Sequence, residues 1–186
     1  MRTSSSPGFS KVHMLYRYGS SSFGTICDSS RFVDMYRSDK LEFVVNQSIF
    51  SEGETNFADV ILPACTQLER WDIGEWGNAG GYGHHGQDQL NHRVIALQHK
   101  CIEPRGESKS DYQIFWDITQ RLGLGSYFSE GMTELDWCKR IFDSTDLPRR
   151  ISWKQFLRKG YYVVPAEGEK TRVPAYMRWF VDDRPK

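Results

Sequence analysis

Four polar residues stand where an α/β protein could hold a nucleotide. Asn46 and Gln47 directly follow the apolar run 43–45, and their side-chain amides can each donate and accept hydrogen bonds to a heterocyclic base. Arg70 follows another apolar run, and its guanidinium can bind a phosphate or diphosphate with two parallel bonds. Asp111 lies in the first turn of a predicted helix, where a carboxylate can accept two hydrogen bonds from guanine. These residues are our candidate nucleotide site.

Each of these residues also has an ordinary structural explanation. Asn46 and Gln47 could simply complete a hydrogen-bonded turn. Glu69 and Arg70 could be a solvated helical ion pair, and Asp111 could be placed only to favour the helix dipole. The residue types alone leave these alternatives open.

Several histidines invite a metal hypothesis. Three of them recur every seven residues, and the first of these lies in the glycine-rich stretch 80–86, which is predicted to be a flexible loop. The histidines concerned are His84, His85, His92 and His99. Because no acidic residue or thiol stands beside them, we interpret them as a loop cluster and predict no metal site in this chain.

Motifs of other reaction classes are missing from the sequence. It contains no phosphate-binding loop of the Gly-x-x-x-x-Gly-Lys kind and no Gly-x-Ser-x-Gly turn, and its Gly-x-Gly-x-x-Gly string at residues 81–86 follows no predicted strand. The four cysteines form no Cys-x-x-Cys pair, so we interpret them as isolated thiols in apolar settings; they are Cys27, Cys65, Cys101 and Cys138. We predict no catalytic residue.

The composition limits the partners that can be expected. The 24 basic residues balance 24 acidic ones in a chain of 186 residues, which argues against nucleic acid as a partner. No run of 18 apolar residues occurs, so no membrane segment is predicted in this chain. The sequence leaves the compartment open between the cytoplasm and the periplasm of a bacterium or archaeon.

Three short apolar runs predict strands. They occupy residues 12–16, 41–45 and 58–63, and the last is rich in β-branched residues and ends at a proline, which is typical of a buried parallel strand. Between the first two runs, helical spacing predicts a helix that Ser29 or Ser30 caps and that ends near residue 38. Strand, helix, strand, strand is the order of an α/β domain.

The clearest helical pattern begins at Ser110, which is spaced to form a capping box with Gln113, and ends at Gly123. Its predicted inward residues are Ile114, Phe115, Ile118 and Leu122.

Two further helices are predicted beyond this one. The first follows Thr133 and has four apolar residues on one face: Leu135, Cys138, Ile141 and Phe142. The second runs from Ser152 to about Gly160 and begins with another capping box, between Ser152 and Gln155. Residues 161–165 are predicted to form a strand or an extended arm.

These elements predict a partial Rossmann-like parallel sheet with flanking helices, plus a mostly helical C-terminal extension. Residues 1–10 are expected to be a disordered start. Residues 11–126 would form a partial α/β domain, and residues 127–186 the helical extension with a truncated tail.

Two ordered motifs resemble the dimethyl sulfoxide reductase family of molybdopterin oxidoreductases. The first runs through residues 44–47 and 55–64, with Ala-Asp-Val-Ile-Leu-Pro as its most specific part, to Leu-Glu-Arg at 68–70. The second, residues 102–111, is similar to the family segment with a proline and Glu-x-Lys-x-Asp before a helix ending in Arg-Leu-Gly. The amino-acid sequences of residues 101–112 and 161–165 look like those of the pyrogallol–phloroglucinol transhydroxylase branch of this family.

The resemblance implies a fragment of a large subunit that helps to bind bis(molybdopterin guanine dinucleotide) molybdenum. In that case Asn46, Gln47, Arg70 and Asp111 would be the cofactor-binding residues, and an anaerobic metabolism is implied. The implied partners are the remaining domains of the parent enzyme and an iron–sulfur electron-transfer subunit. We expect the isolated chain to be inactive and to bind the cofactor weakly, since most contacts would be missing.

The sequence also departs from the family pattern. Asn46-Gln47 replaces the more usual Ser-Asp or Gln-Asp pair, and the glycine-rich loop after Trp76 does not match the common Glu-Gly-x-x-x-Asn pattern. Two alternatives therefore stay open. One is a stand-alone protein-interaction module derived from such an enzyme, and the other is a small metal-binding protein that uses the histidines.

Overall fold

A computed structural model describes residues 11–19, 21, 23–75 and 94–165. The chain divides into two compact units, one of residues 1–72 with 98–139 and one of residues 73–97 with 140–186. The predicted disordered start at 1–10 lies outside the described residues, as does the tail from 166 onward. The predicted domain division therefore stays a prediction.

The first unit is built on a three-stranded parallel sheet. Its strands are β1 (Met14–Tyr18), β2 (Phe43–Ser48) and β3 (Val60–Pro63), in the order β1-β2-β3. Helices flank this sheet, and further helices follow in the C-terminal part, which confirms the predicted α/β fold class. All three predicted strands exist, but β1 lies two residues later than predicted and β2 continues three residues beyond its predicted end.

Strand β3 is not the buried strand that its composition predicts. Val60 is 39% exposed and Ile61 is 54% exposed, whereas Val44 and Val45 of β2 are almost completely buried. Among the described residues β3 pairs with β2 alone, so it stands at an edge of the sheet. Its β-branched residues show strand propensity, not burial.

Helix α1 (Ser29–Tyr36) connects β1 to β2, but serine does not cap it as predicted. Asp28 is the residue before the helix, it has a left-handed backbone conformation, and its side chain makes no capping bond. The Ser29 hydroxyl donates to the Phe23 carbonyl instead. A short 3₁₀-helix, Gly53–Phe57, precedes β3.

Helix α2 (Asp111–Arg121) begins as predicted, because the Ser110 hydroxyl accepts a hydrogen bond from the Gln113 backbone N–H. The predicted reciprocal bond is wrong, since the Gln113 amide donates to Asp117. Leu122, predicted to point inward, is 66% exposed. The unpredicted short helix α3 (Gly125–Ser129) follows.

The second unit contains a three-stranded sheet in the order β4-β5-β6 and most of the C-terminal helices. Its elements are β4 (Asp72–Glu75), β5 (Val94–Gln98), the C-terminal part of α4 (Glu134–Asp143), the 3₁₀-helix Leu147–Arg149, α5 (Trp153–Lys159) and β6 (Tyr161–Val163). The unit boundary falls within β4, β5 and α4. β6 is antiparallel to β5, so the predicted strand at 161–165 is present.

The core of this second unit is aromatic. Phe142 and Phe156 are almost completely buried with ring centroids 5.1 Å apart, and Trp153 packs edge-on against Phe142. Ser152 and Gln155 form the predicted capping box at the start of α5. Ile141 was expected to share the buried face of α4, but it is 48% exposed.

The cysteines divide into two pairs. Cys65 and Cys138 are buried, whereas Cys27 and Cys101 are exposed, so the prediction of apolar settings is wrong for the second pair. Within the described ranges, no helix has the length and apolar character needed to cross a membrane.

Candidate nucleotide-binding site

A chain of hydrogen bonds joins three of the four candidate residues. The Tyr16 hydroxyl donates to Oε1 of Gln47, and Nε2 of Gln47 donates to Oδ1 of Asp111 at 2.8 Å. Nη1 of Arg70 donates to the other oxygen, Oδ2 of Asp111, at 2.5 Å. We refer to Gln47, Arg70 and Asp111 with Tyr16 as the Asp111 cluster.

Backbone pairing places this cluster at the carboxyl edge of the sheet. Gln47 is near the end of β2, and Ala64, directly after β3, pairs with Lys109 in a parallel bridge. The Cys65 N–H also donates to the Lys109 carbonyl at 2.8 Å. The chain thus enters α2 beside the end of β3, and Asp111 faces Gln47. Ligands of open parallel sheets bind at this edge.

Asn46 is not part of the Asp111 cluster. Successive strand residues point to opposite faces, so Asn46 and Gln47 lie on different sides of the sheet. The amide oxygen of Asn46 accepts a hydrogen bond from the Thr55 hydroxyl at 3.0 Å, and Asn46 is only 3% exposed. Asn46 and Gln47 both lie inside β2, so the alternative that they complete a hydrogen-bonded turn is wrong.

The Asp111 cluster has unused capacity for hydrogen bonds. Each oxygen of the Asp111 carboxylate accepts one bond within the cluster, the Tyr18 hydroxyl is a further hydrogen-bond partner of this carboxylate, and the Asp111 side chain is 20% exposed. Nη2 of Arg70 also lies 3.4 Å from Oδ2 of Asp72. Nε of Arg70 is buried and has no hydrogen-bond partner among the described residues.

Sequence reasoning missed two tyrosines, Tyr16 within the cluster and Tyr18 beside it. Phe115 of α2 stacks on Tyr16, with ring centroids 5.7 Å apart, and contacts Tyr18 edge-on at 5.6 Å. Burial and then the charge of Asp111 raise the pKa of both tyrosines. Both hydroxyls therefore stay protonated at neutral pH. Tyr16 and Tyr18 are two residues apart in β1, so both rings lie on the same face of the sheet. This spacing was the sequence signal that could have pointed to them.

A buried carboxylate, Glu54, holds the loop after β1 and was also missed. It is fully buried and accepts hydrogen bonds of 2.7 Å from the Ser21 hydroxyl and the Phe23 N–H. Nη2 of Arg17 lies 3.7 Å from Oε1 of Glu54. Burial acts to raise the pKa of Glu54, but these bonds outweigh it, so the pKa is below its ordinary value. Glu54 thus fixes the loop at the carboxyl end of β1.

The solvated Glu69–Arg70 pair considered from sequence is not present. Glu69 is 6% exposed and lies in a turn, where one oxygen accepts from the N–H and hydroxyl of Thr66 at 2.7 and 2.8 Å. The other accepts from the Arg105 N–H at 3.0 Å. These hydrogen bonds lower the pKa of Glu69. Glu69 therefore ties the turn that carries Arg70 to the segment before α2.

Of the candidate histidines, only His99 is described, and its ring packs edge-on against Trp71. His84, His85 and His92 lie outside the described residues. Within the described ranges no three metal-ligating side chains come together.

The family model for molybdopterin oxidoreductases matches residues 1–121, which is more than half of the chain and includes the whole Asp111 cluster. The chain belongs to the molybdopterin oxidoreductase family. The resemblance inferred from the two sequence motifs is thereby confirmed. Membership implies a molybdenum–pterin cofactor, and the buried Arg70 Nε, which has no hydrogen-bond partner among the described residues, is compatible with a polar ligand at this edge.

Relatives within the molybdopterin oxidoreductase family include a hydroxytransferase and reductases. The chain is 49% identical over 180 residues to the pyrogallol hydroxytransferase large subunit of Pelobacter acidigallici, covering 97% of this chain and 20% of that protein. It is 33% identical over 138 residues to a trimethylamine-N-oxide reductase of Pasteurella multocida, covering 70% of this chain and 15% of that protein. The chain thus spans about a fifth or less of these relatives.

A solved structure supports the same fold. Acetylene hydratase from Pelobacter acetylenicus superposes with a TM-score of 0.57 at 16% identity, over 82% of this chain and 18% of that one. At this identity the likeness concerns the fold alone.

Proposed function

We propose that this chain forms part of the wall that holds the nucleotide portion of a bis(molybdopterin guanine dinucleotide) molybdenum cofactor. The observation that carries the proposal is the Asp111 cluster at the carboxyl edge of the parallel sheet. Asp111 would accept the ring N–H and the exocyclic amino group of guanine, because a carboxylate presents two acceptor oxygens to such a pair of donors. Arg70 would supply positive charge for the diphosphate.

Gln47 and Asn46 have different parts in this proposal. Gln47 orients the Asp111 carboxylate through its 2.8 Å bond and is itself held by Tyr16. Asn46 would contribute from the opposite face of β2, where its bond to Thr55 fixes the turn before β3. The cofactor would supply oxygen-atom, hydroxyl or electron transfer at molybdenum, and this chain would position it. We assign no catalytic residue.

We extend the proposal to the parent protein through the relative with the name pyrogallol hydroxytransferase large subunit. A parent enzyme of that kind would transfer a hydroxyl group to a polyhydroxylated aromatic substrate. The remaining domains of the large subunit and an iron–sulfur electron-transfer subunit would be its partners. This assignment follows the 49% identity across nearly the whole chain.

The test is guanine recognition by the 186-residue chain, measured by isothermal titration calorimetry with GDP, IDP and ADP. IDP lacks the exocyclic amino group of guanine, so a carboxylate that binds guanine should favour GDP over IDP by about tenfold. The Asp111→Asn variant should lose this preference, because an amide cannot accept both N–H groups.

A matched control is Asp117→Asn. Asp117 lies on the same helix with a side chain 22% exposed, close to the 20% of Asp111, but it pairs with Lys109 away from the cluster. This variant should bind all three nucleotides like the original chain. Equal binding of GDP and IDP by the original chain, or no binding at millimolar concentration, would refute the proposed function.

A further inference from the structure

Tyr18 is the exposed aromatic side chain next to the Asp111 cluster. It is the register partner of Gln47 in the parallel pair of β1 and β2, so the two side chains lie side by side on one face of the sheet. Gln47 in turn donates to Asp111. The ring of Tyr18 therefore adjoins the carboxylate that is proposed to bind the edge of the base.

The ring is held from one side and open on another. Phe115 contacts it edge-on with centroids 5.6 Å apart and its hydroxyl is hydrogen-bonded to Asp111, yet 54% of Tyr18 remains exposed. Its neighbour Tyr16 is in a different position: its ring stacks on Phe115 and its hydroxyl is engaged by Gln47. Tyr18 is thus a fixed aromatic surface that still has area available for a ligand.

From this juxtaposition we propose that Tyr18 stacks against the base of the bound nucleotide and is a further binding residue of this site. Hydrogen bonds at the edge of a planar base leave its two faces uncovered, and aromatic side chains commonly cover such faces. The edge contact would select guanine, whereas the stack would add affinity for any base, because every base has a π-face. This inference rests on the proposed function.

The two contributions predict different patterns in nucleotide binding. Tyr18→Ala should weaken GDP and IDP by the same factor, about tenfold, and leave their ratio unchanged. Tyr18→Phe keeps the ring and removes only the hydroxyl that bonds Asp111, so it should keep most of the affinity for both nucleotides. Asp111→Asn should instead abolish the ratio. A merely structural role for Tyr18, through its contact with Phe115, would instead lower the free energy of unfolding of Tyr18→Ala, which urea denaturation measures.

The control is Tyr127→Ala on α3, which removes a tyrosine that is 86% exposed and lies outside the Asp111 cluster. It should leave both affinities unchanged. Circular dichroism of each variant checks that the fold is retained. If the original chain prefers GDP and Tyr18→Ala binds GDP equally well, the stacking inference is overturned and the proposed function stands. If the original chain binds no nucleotide, the proposed function fails and the inference fails with it.

Discussion

At the scale of single residues, the buried Glu54 is expected to contribute to stability through its charge. Its carboxylate accepts two hydrogen bonds of 2.7 Å and has no contact with solvent. Glu54→Gln replaces the charged acceptor by a neutral amide, and we expect it to lower the free energy of unfolding by about 1–3 kcal/mol at neutral pH. Urea denaturation followed by circular dichroism measures this loss.

The pH dependence has a definite sign. The pKa of Glu54 in the folded chain lies below the ordinary value of 4.5. The stability that this shift contributes is present above 4.5 and is lost as the pH falls towards the lowered pKa. The difference between the original chain and Glu54→Gln should therefore shrink below pH 4.5. Glu103→Gln, whose side chain is 84% exposed, should show no such pattern, and a constant difference at all pH values would contradict the prediction.

The thiols should differ in reactivity according to burial. Burial and the nearby charges of Asp72 and Glu134 raise the pKa of Cys138 to about 12, and burial together with Glu69 raises that of Cys65. At mildly alkaline pH the two exposed thiols should react with a disulfide reagent, whereas the two buried ones react more than about tenfold more slowly.

The double variant Cys27→Ser, Cys101→Ser identifies the fast thiols, because it should remove the fast reaction completely. Denaturant should make all four thiols of the original chain react together. A fast phase that survives in the double variant would show that a buried thiol is accessible.

The sequence allowed part of the site to be predicted at this scale, for a physical reason. Arg70 and Asp111 can be found because their charges suit a ligand and because they stand after a strand and in a first helical turn. Tyr18 and Glu54 could not be found in this way. Tyr18 stands between Arg17 and Gly19, outside the predicted strand, and a glutamate in a polar turn is interpreted as solvated, until the fold supplies Phe115 and Ser21 as neighbours.

At the scale of elements, apolar patterning finds the strands but not their ends. The prediction stops β2 at Val45 because two amides follow, yet the backbone continues to pair with both β1 and β3. Asn46 and Gln47 can be buried there because Thr55, Tyr16 and Asp111 satisfy their side chains. These partners are distant in sequence, so no local pattern announces them.

Helix α2 should depend on its N-terminal cap, which also places Asp111. Ser110 is 6% exposed and accepts the Gln113 N–H at 3.1 Å. Ser110→Ala should lower the free energy of unfolding by about 1 kcal/mol, since one N–H of the first turn loses its partner. The exposed helical Ser126 provides the control, and Ser126→Ala should change stability by less than about 0.5 kcal/mol. Equal effects of the two substitutions in urea denaturation would argue against the cap.

At the scale of the whole molecule, the fold class and the family follow from sequence, whereas the exposure of apolar side chains does not. The chain spans 20% of the hydroxytransferase large subunit that it resembles. One face of its parallel sheet carries Met14, Phe43 and Val60, which are 51%, 39% and 39% exposed. Strand composition alone predicts these side chains to be core, because it does not show which of them a neighbouring element covers.

This apolar face should make the chain associate with itself at high concentration. The triple variant Met14→Lys, Phe43→Thr, Val60→Thr should raise the solubility several-fold with little change in unfolding free energy, because the three side chains are already substantially exposed. Light scattering and sedimentation velocity measure the association.

Val45→Thr is the matched control, since Val45 is the register partner of Val60 but only 5% exposed. It should cost about 1–2 kcal/mol of stability without any gain in solubility, because it places a hydroxyl in the core. Unchanged association of the triple variant would show that another surface drives it.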